Sequence, residues 1–184
     1  MELSILHAIQ GLHNPVLDQI MVLVFNKMVG PIGQLWIVVG IVLLIIPKTR
    51  KCGVTVLVSY VLSLLFGDKV LKDLIARPRP CAIDETVALI VKKPSSFSCP
   101  SVHTYLAFSS AMAIYHHFKK AGIGVFAFAA LVGFSRMYFF VHYPTDVLLG
   151  AVLGVVTAWV VCLGLDNSCA SVKAFLENRK KTGE

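Results

Sequence analysis

Apolar residues along this chain run in long blocks, and short polar or charged breaks separate them. A helix needs roughly 20 residues to cross the hydrocarbon of a bilayer. Against that length the blocks predict an all-α protein: an integral membrane bundle of six transmembrane helices behind an N-terminal interfacial helix. Residues 3–13 are mildly amphipathic and read as the interfacial helix, which Asn14-Pro15 ends. The predicted spans follow at about 15–29, 32–46, 53–75, 101–117, 122–140 and 145–165. Asp18, Asn26 and Lys27 dilute the first span. Gly30-Pro31 and Pro47 mark two of the breaks, and a polar loop over 77–99 is the longest. Gly150 and Gly154 have the spacing that lets two helices approach closely.

Composition supports the bilayer as solvent. Hydrophobic residues make up 57% of the 184 and charged residues 15%; mean hydropathy is +0.77. Soluble chains carry about 25% charged residues. The formal net charge of +7 raises nucleic acid as a partner. The basic residues, however, fall between the apolar blocks and not in a stripe with interleaved aromatics, so no nucleic-acid partner is expected. They read instead as membrane topology, or as contacts to anionic lipid or an anionic substrate. With six spans, the 47–51 loop, the 118–120 turn and the tail with Lys173, Arg179, Lys180 and Lys181 share one side. The positive-inside rule makes that side cytoplasmic. The 77–99 loop and the 141–144 turn then face outward, although Lys92 and Lys93 dilute the bias. The N-terminal M-E-L-S-I-L-H-A-I-Q has no basic start and no small-residue cleavage site, so the first segment is expected to be retained.

Charged side chains within spans are costly, about 2.5–3.5 kcal/mol each at a helix centre. The third span ends G-D-K-V-L-K-D-L-I-A-R-P-R-P. Asp68 with Lys72, and Lys69 with Asp73, have the spacing of helical ion pairs. Arg77 and Arg79 have no acid nearby in sequence. Arg136 lies near the outer end of the fifth span, either snorkelling to the interface or aimed at an anion. Pro144 reads as the first residue of the sixth helix, with Asp146 in its first turn. Asp146 there either complements the helix dipole or reaches back to hold a ring nitrogen of His142. In C-P-S-V-H-T, Pro100 and Ser101 open the fourth span and His103 sits one turn in.

The predicted topology brings Lys72, Arg77, Arg79, Ser101, His103, Arg136, His142 and Asp146 to one membrane face. Cations around two histidines suit a phosphoryl group. Arginine forks match phosphate oxygens, lysine adds a point charge, and the backbone N–H groups of a helix start add an anion site. A histidine held by an aspartate can attack phosphorus, and a second histidine can protonate the departing oxygen. No Cys/His cluster at zinc spacing and no carboxylate cage for magnesium is evident, so neither metal nor cofactor is expected.

Three linked motifs carry a resemblance: Lys72-x6-Arg79-Pro80, Pro100-Ser101-x-His103, and Ser135-Arg136-x5-His142-x3-Asp146. Together they resemble the signature of the type 2 phosphatidic acid phosphatases, the membrane branch of the vanadium haloperoxidase superfamily, over about residues 53–160. The resemblance implies one membrane phosphatase domain over 1–184, with 53–160 its catalytic core and 166–184 a cytoplasmic tail. It implies His142 as nucleophile, Asp146 as its orienting partner and His103 as general acid. Lys72, Arg79, Ser101, Val102 and Arg136 would hold the phosphate. It carries no role to Lys69 or Arg77. It further implies a lipid phosphate or diphosphate as substrate, undecaprenyl diphosphate first, hydrolysed at the outer face of a bacterial plasma membrane. Phosphatidylglycerophosphate and phosphatidic acid are alternatives, as is a homologue that binds or transports lipid phosphate without turnover.

One position departs from the family pattern, because Val102 stands where glycine is usual between the serine and the histidine. Its β-branch is expected to crowd the phosphate or redirect His103. Cys81 and Cys99 border the first two motifs, either bridged across the outward loop or as two buried thiols.

Overall fold

The computed structural model of the chain describes residues 1–31 and 33–182, with side chains except at 169, 170 and 172–182. Cys169 and the basic tail residues Lys173, Arg179, Lys180 and Lys181 therefore lie outside the described side chains. Every regular element among the described residues is helical.

The short helix α1 (Glu2–Gln10) is followed by α2 (Pro15–Met21). Asn14 caps α2: its side-chain oxygen accepts from Leu17 N at 2.9 Å, and Pro15 fills the first helical position. α2 runs on as a π-helical stretch, Val22–Met28. Helix α3 (Gln34–Ile45) precedes a 3-10 turn at Pro47–Thr49 and the helix α4 (Arg50–Ser63). α4 widens into a second π-helical stretch, Leu64–Leu71, and ends in the single turn α5 (Lys72–Ile75). Another single turn, α6 (Pro80–Ile83), interrupts the expected 77–99 loop. Helices α7 (Val102–His117), α8 (Lys119–Tyr138) and α9 (Pro144–Thr182) complete the bundle.

Among the described residues three stretches are long and apolar enough to cross a membrane: Pro47–Ile83, Lys119–Tyr138 and Pro144–Ser168. Gln34–Ile45 is apolar but shorter. Polarity is distributed for a bilayer. Leu148, Val152, Val156, Trp159 and Val160 lie exposed along α9, as do Val38, Ile41 and Val42 along α3. Meanwhile Thr55, Ser59, Ser63, Thr104, Ser109 and Ser110 are buried. Small and hydroxylated residues between helices, with apolar residues outside, suit lipid and not water.

α7 is the central element, packed on α9, α8 and α4. Gly150 and Gly154 permit its contact with α9. A Cβ on Gly150 would come within 2.7 Å of the Ser101 carbonyl oxygen, and one on Gly154 within 2.5 Å of that of Tyr105. The close approach expected from their spacing is therefore real. It holds the start of α7 beside the start of α9, where the histidines are.

Candidate active site

Two left-handed residues shape the site. Ala76 (φ 47°) ends α5 and releases the segment with Arg77 and Arg79 from the helix. Phe140 (φ 57°) breaks the chain between α8 and α9 just before Val141 and His142. Such angles are disfavoured for residues with a Cβ, and the surrounding packing has to hold them.

Around these turns lies a cavity of about 480 Å³. Lys72, Arg79, Val102, His103, Arg136 and His142 all line it. Six of the expected site residues are thus brought together from four separate segments. Leu64, Asp68 and Lys72 also line it, at steps of four residues. The widened π-helical turns keep residues at that spacing more nearly on one face. Asn26, from the other π-helical stretch, lines it as well.

Arg79 is wrapped by acceptors. Its Nε donates to the Ser96 carbonyl at 2.7 Å, Nη1 to that of Val141 at 2.8 Å, and Nη2 to Ser96 Oγ and the Phe97 carbonyl, each at 3.1 Å. Nη1 also stands 3.1 Å from His142 Nε2. A guanidinium only donates, so Nε2 is the acceptor and the neutral ring carries its proton on Nδ1. Arg136 donates from Nε to Ser135 Oγ at 3.1 Å and from Nη2 to the Phe25 carbonyl. Both arginines are buried. Among the described residues neither lies within ion-pair distance of a carboxylate. Lys72 does have an acid: its Nζ is 2.7 Å from Asp68 Oδ1 and donates to Ser96 Oγ at 3.1 Å. The helical pairing expected for Asp68 and Lys72 is formed.

His142 lies in the turn between α8 and α9. Burial first, then the Arg79 and Lys72 cations, push its imidazole down to about 4, against the opposing pull of Asp146. The ring is therefore neutral near pH 7. Asp146 is fully buried. Its Oδ2 accepts from Tyr143 N at 2.9 Å and from Ser98 Oγ. His142 Nδ1 is 3.8 Å from Oδ2, too far for a direct hydrogen bond, with Ser98 Oγ at 3.5 Å from that nitrogen. The expected reach of Asp146 to His142 is thus a Ser98-bridged approach. His103 Nε2 meets the Gly30 carbonyl at 3.1 Å.

The structure places three further groups. Ser101 is buried: its hydroxyl pairs with Thr104 Oγ1 at 2.9 Å, and its N–H donates to the Asp146 carbonyl at 3.1 Å. It braces α7 against α9. Cys81 and Cys99 are buried free thiols, so the bridge is not formed. Arg77, which lacks an acid in sequence, is paired through space with Glu2 and Asp146. Val102 is buried at the first position of α7 and lines the cavity.

Ser96 and Ser98 are the site residues that sequence reasoning missed. The segment P-S-S-F-S just before Cys99 gave a signal of hydroxyls, but its target was not readable.

Residues 53–168 match the family model of the PAP2 superfamily. The chain belongs to the PAP2 superfamily. A protein of Sulfolobus acidocaldarius named undecaprenyl-diphosphatase is 34% identical over 132 residues, which is 71% of this chain and 62% of that protein. The chain therefore spans less than two thirds of that relative's length. Among solved structures, LpxE of Aquifex aeolicus superposes with a TM-score of 0.70 at 27% identity, covering 88% of this chain and 94% of that one. A PAP2-type phosphatidylglycerolphosphate phosphatase of Bacillus subtilis gives 0.67 at 27% identity, covering 91% and 85%. The PAP2 match runs from α4 into α9 and takes in every lysine, arginine and histidine of the cavity wall: Lys72, Arg79, Lys92, Lys93, His103, Arg136 and His142.

Proposed function

We propose that this PAP2 protein is a membrane lipid phosphatase working through a phosphohistidine. The observation that carries the reading is the pair of buried arginines without carboxylate partners, set beside a histidine whose Nε2 lone pair is held toward them. A buried cation without a counter-charge is costly, and a phosphate in the cavity supplies that charge.

In the first step His142 Nε2 attacks phosphorus. The P–O bond to the leaving group breaks, and a proton from His103 goes to the departing oxygen. In the second step water attacks phosphorus and gives a proton to His103. The P–N bond breaks and inorganic phosphate leaves. Arg79, Arg136 and Lys72 hold the phosphoryl oxygens as charge shifts onto them. The free N–H groups at the start of α7, Val102 among them, add donors. Asp146, through Ser98, keeps the proton on Nδ1 so that Nε2 attacks.

The exposed apolar faces support a place within the bilayer, and the basic 47–51 loop and 118–120 turn support an outward-facing cavity. The bundle crosses the membrane six times, with α2 and its π-helical extension, α3 and α7 as the shorter crossings. The cavity opens at the outer boundary of a bacterial plasma membrane, where a lipid headgroup enters while its chains stay in hydrocarbon. Undecaprenyl diphosphate is the first substrate to test, with phosphatidylglycerophosphate and phosphatidic acid beside it. Val102 supports a second reading, binding without turnover, because it replaces a glycine at the cavity wall. Phosphate release in detergent from those lipids, with vanadate as inhibitor, separates the two. Release from at least one lipid, blocked by vanadate, is expected. Folded protein that binds them and releases no phosphate would reject the enzyme.

A further inference from the structure

Arg77 stands outside the three motifs, yet it reaches the same centre from behind. Its Nη1 donates to Asp146 Oδ1 and to Thr145 Oγ1, each at 2.7 Å. Its Nη2 is hydrogen-bonded to Glu2 Oε2, and its Cζ lies 3.9 Å above the Tyr143 ring. Glu2 belongs to α1, at the far end of the chain. The other oxygen of Glu2 accepts from Thr145 N at 3.2 Å and Thr145 Oγ1 at 2.7 Å. An N-terminal carboxylate thus sits on the first turn of α9, where the helix dipole favours an anion.

We propose that Arg77, held in place by Glu2, is a positioning residue that fixes the Asp146 carboxylate against His142, so that docking of the N-terminal helix aligns the nucleophile. The inference rests on the reading of His142 as that nucleophile. The argument is one of satisfied valences. Asp146 is fully buried, so both of its oxygens need donors. Oδ2 has Ser98 and Tyr143 and Oδ1 has Arg77, while the Cys99 thiol also lies against this carboxylate as a far weaker donor. Without Arg77 the carboxylate either turns to find another donor or takes up a proton. Both outcomes undo the arrangement in which Ser98-bridged Oδ2 faces Nδ1. Glu2 matters because Arg77 is about a quarter exposed and long-chained. An anion on its second nitrogen, together with the ring of Tyr143, removes the freedom to swing outward.

The test is the titration of His142 by 15N-histidine NMR on the full chain in detergent, with His142→Ala assigning the signal. The groups that face this ring are Arg79 at Nε2, Ser98 and Asp146 at Nδ1, and Lys72 and His103 on the same cavity wall. In Arg77→Met the midpoint is expected to move to lower pH, because Asp146, turned away or protonated, no longer supports the proton on the ring. Turnover is expected to fall about 10–100-fold, with KM within about threefold, as for other groups that orient a reacting residue. Arg77→Lys restores much of both. Glu2→Gln shifts them the same way by less, and adding it to Arg77→Met changes nothing further.

An unchanged His142 titration in Arg77→Met would overturn the proposal, as would Glu2 and Arg77 effects that multiply. If Arg77→Met does not fold, Glu2→Gln decides alone: no shift there rejects the role. The NMR readout needs no substrate. A chain that hydrolyses no lipid phosphate would defeat the proposed function while this result still stood or fell by itself.

Discussion

Two of the histidine–aspartate pairs among the described residues share helix α9, and they differ instructively. Asp146 and Asp166 both lie on α9, about 30 Å apart along the helix. At one end His142 and Asp146 are 4% and 0% exposed, with 3.8 Å between Nδ1 and Oδ2. At the other His116 and Asp166 are 27% and 49% exposed, with 2.8 Å between them. The closer pair is the less specialised one. Its contact lies partly in solvent, where such pairs contribute little. The buried pair is separated by a serine hydroxyl and overlooked by the cations Arg79 and Lys72, which work with burial to keep His142 neutral. Distance alone would pick His116; burial and the surrounding cations pick His142.

The largest expected effect sets the two ends apart. His142→Ala should lower turnover at least about 1,000-fold, as loss of a nucleophile does. His116→Ala should leave it within about twofold. Equal losses in the two variants, measured as phosphate release, would erase the distinction. Arg136→Ala should cost about 100-fold, the scale for removing one donor to developing charge, and Arg136→Lys should recover little of it because the fork is lost. Full activity in Arg136→Ala would show that its buried charge does not serve the phosphate.

The pH dependence sharpens the contrast. His142 must be neutral to attack, and its imidazole is held down to about 4. As pH falls, kcat/KM should hold through the ordinary histidine range and drop only near that value. An acid limb near 6.5, the ordinary imidazole value, would mean that His142 is not buried among cations. Val102→Gly should change turnover no more than about threefold, since the N–H at the start of α7 is kept when the side chain is removed. A much larger gain would show that Val102 obstructs the phosphate. The smallest effect is expected at the exposed pair: Asp166→Asn should alter unfolding free energy by less than about 1 kcal/mol.

Much of the framework was legible. Block length located α3, α7, α8 and the start of α9 to within a few residues, because apolar runs and their Pro and Gly breaks are local signals. The cavity wall was legible in part, since cations inside apolar runs are conspicuous. The two π-helical stretches were not. Nothing in V-L-V-F-N-K-M or L-L-F-G-D-K-V-L separates a widened turn from an ordinary one. The span count was harder to read for a related reason. α7 is surrounded by three other helices, so its burial comes from protein packing and its length of 16 residues reports little about lipid. The partners of Asp146 were also out of reach. Ser98 and Glu2 meet it and Arg77 across 48 and 75 residues of chain, and no local pattern encodes such a meeting.

The most direct test of the central claim is to trap the covalent intermediate. A lipid diphosphate or monophosphate that proves to be a substrate would be mixed with the protein and quenched within one turnover. The phosphoryl group would then be located by mass spectrometry under conditions that preserve P–N bonds. The account predicts an acid-labile phosphate on His142, present in wild type and in His116→Ala and missing in His142→Ala. Turnover with the phosphate on another residue, or persisting in His142→Ala, would contradict it.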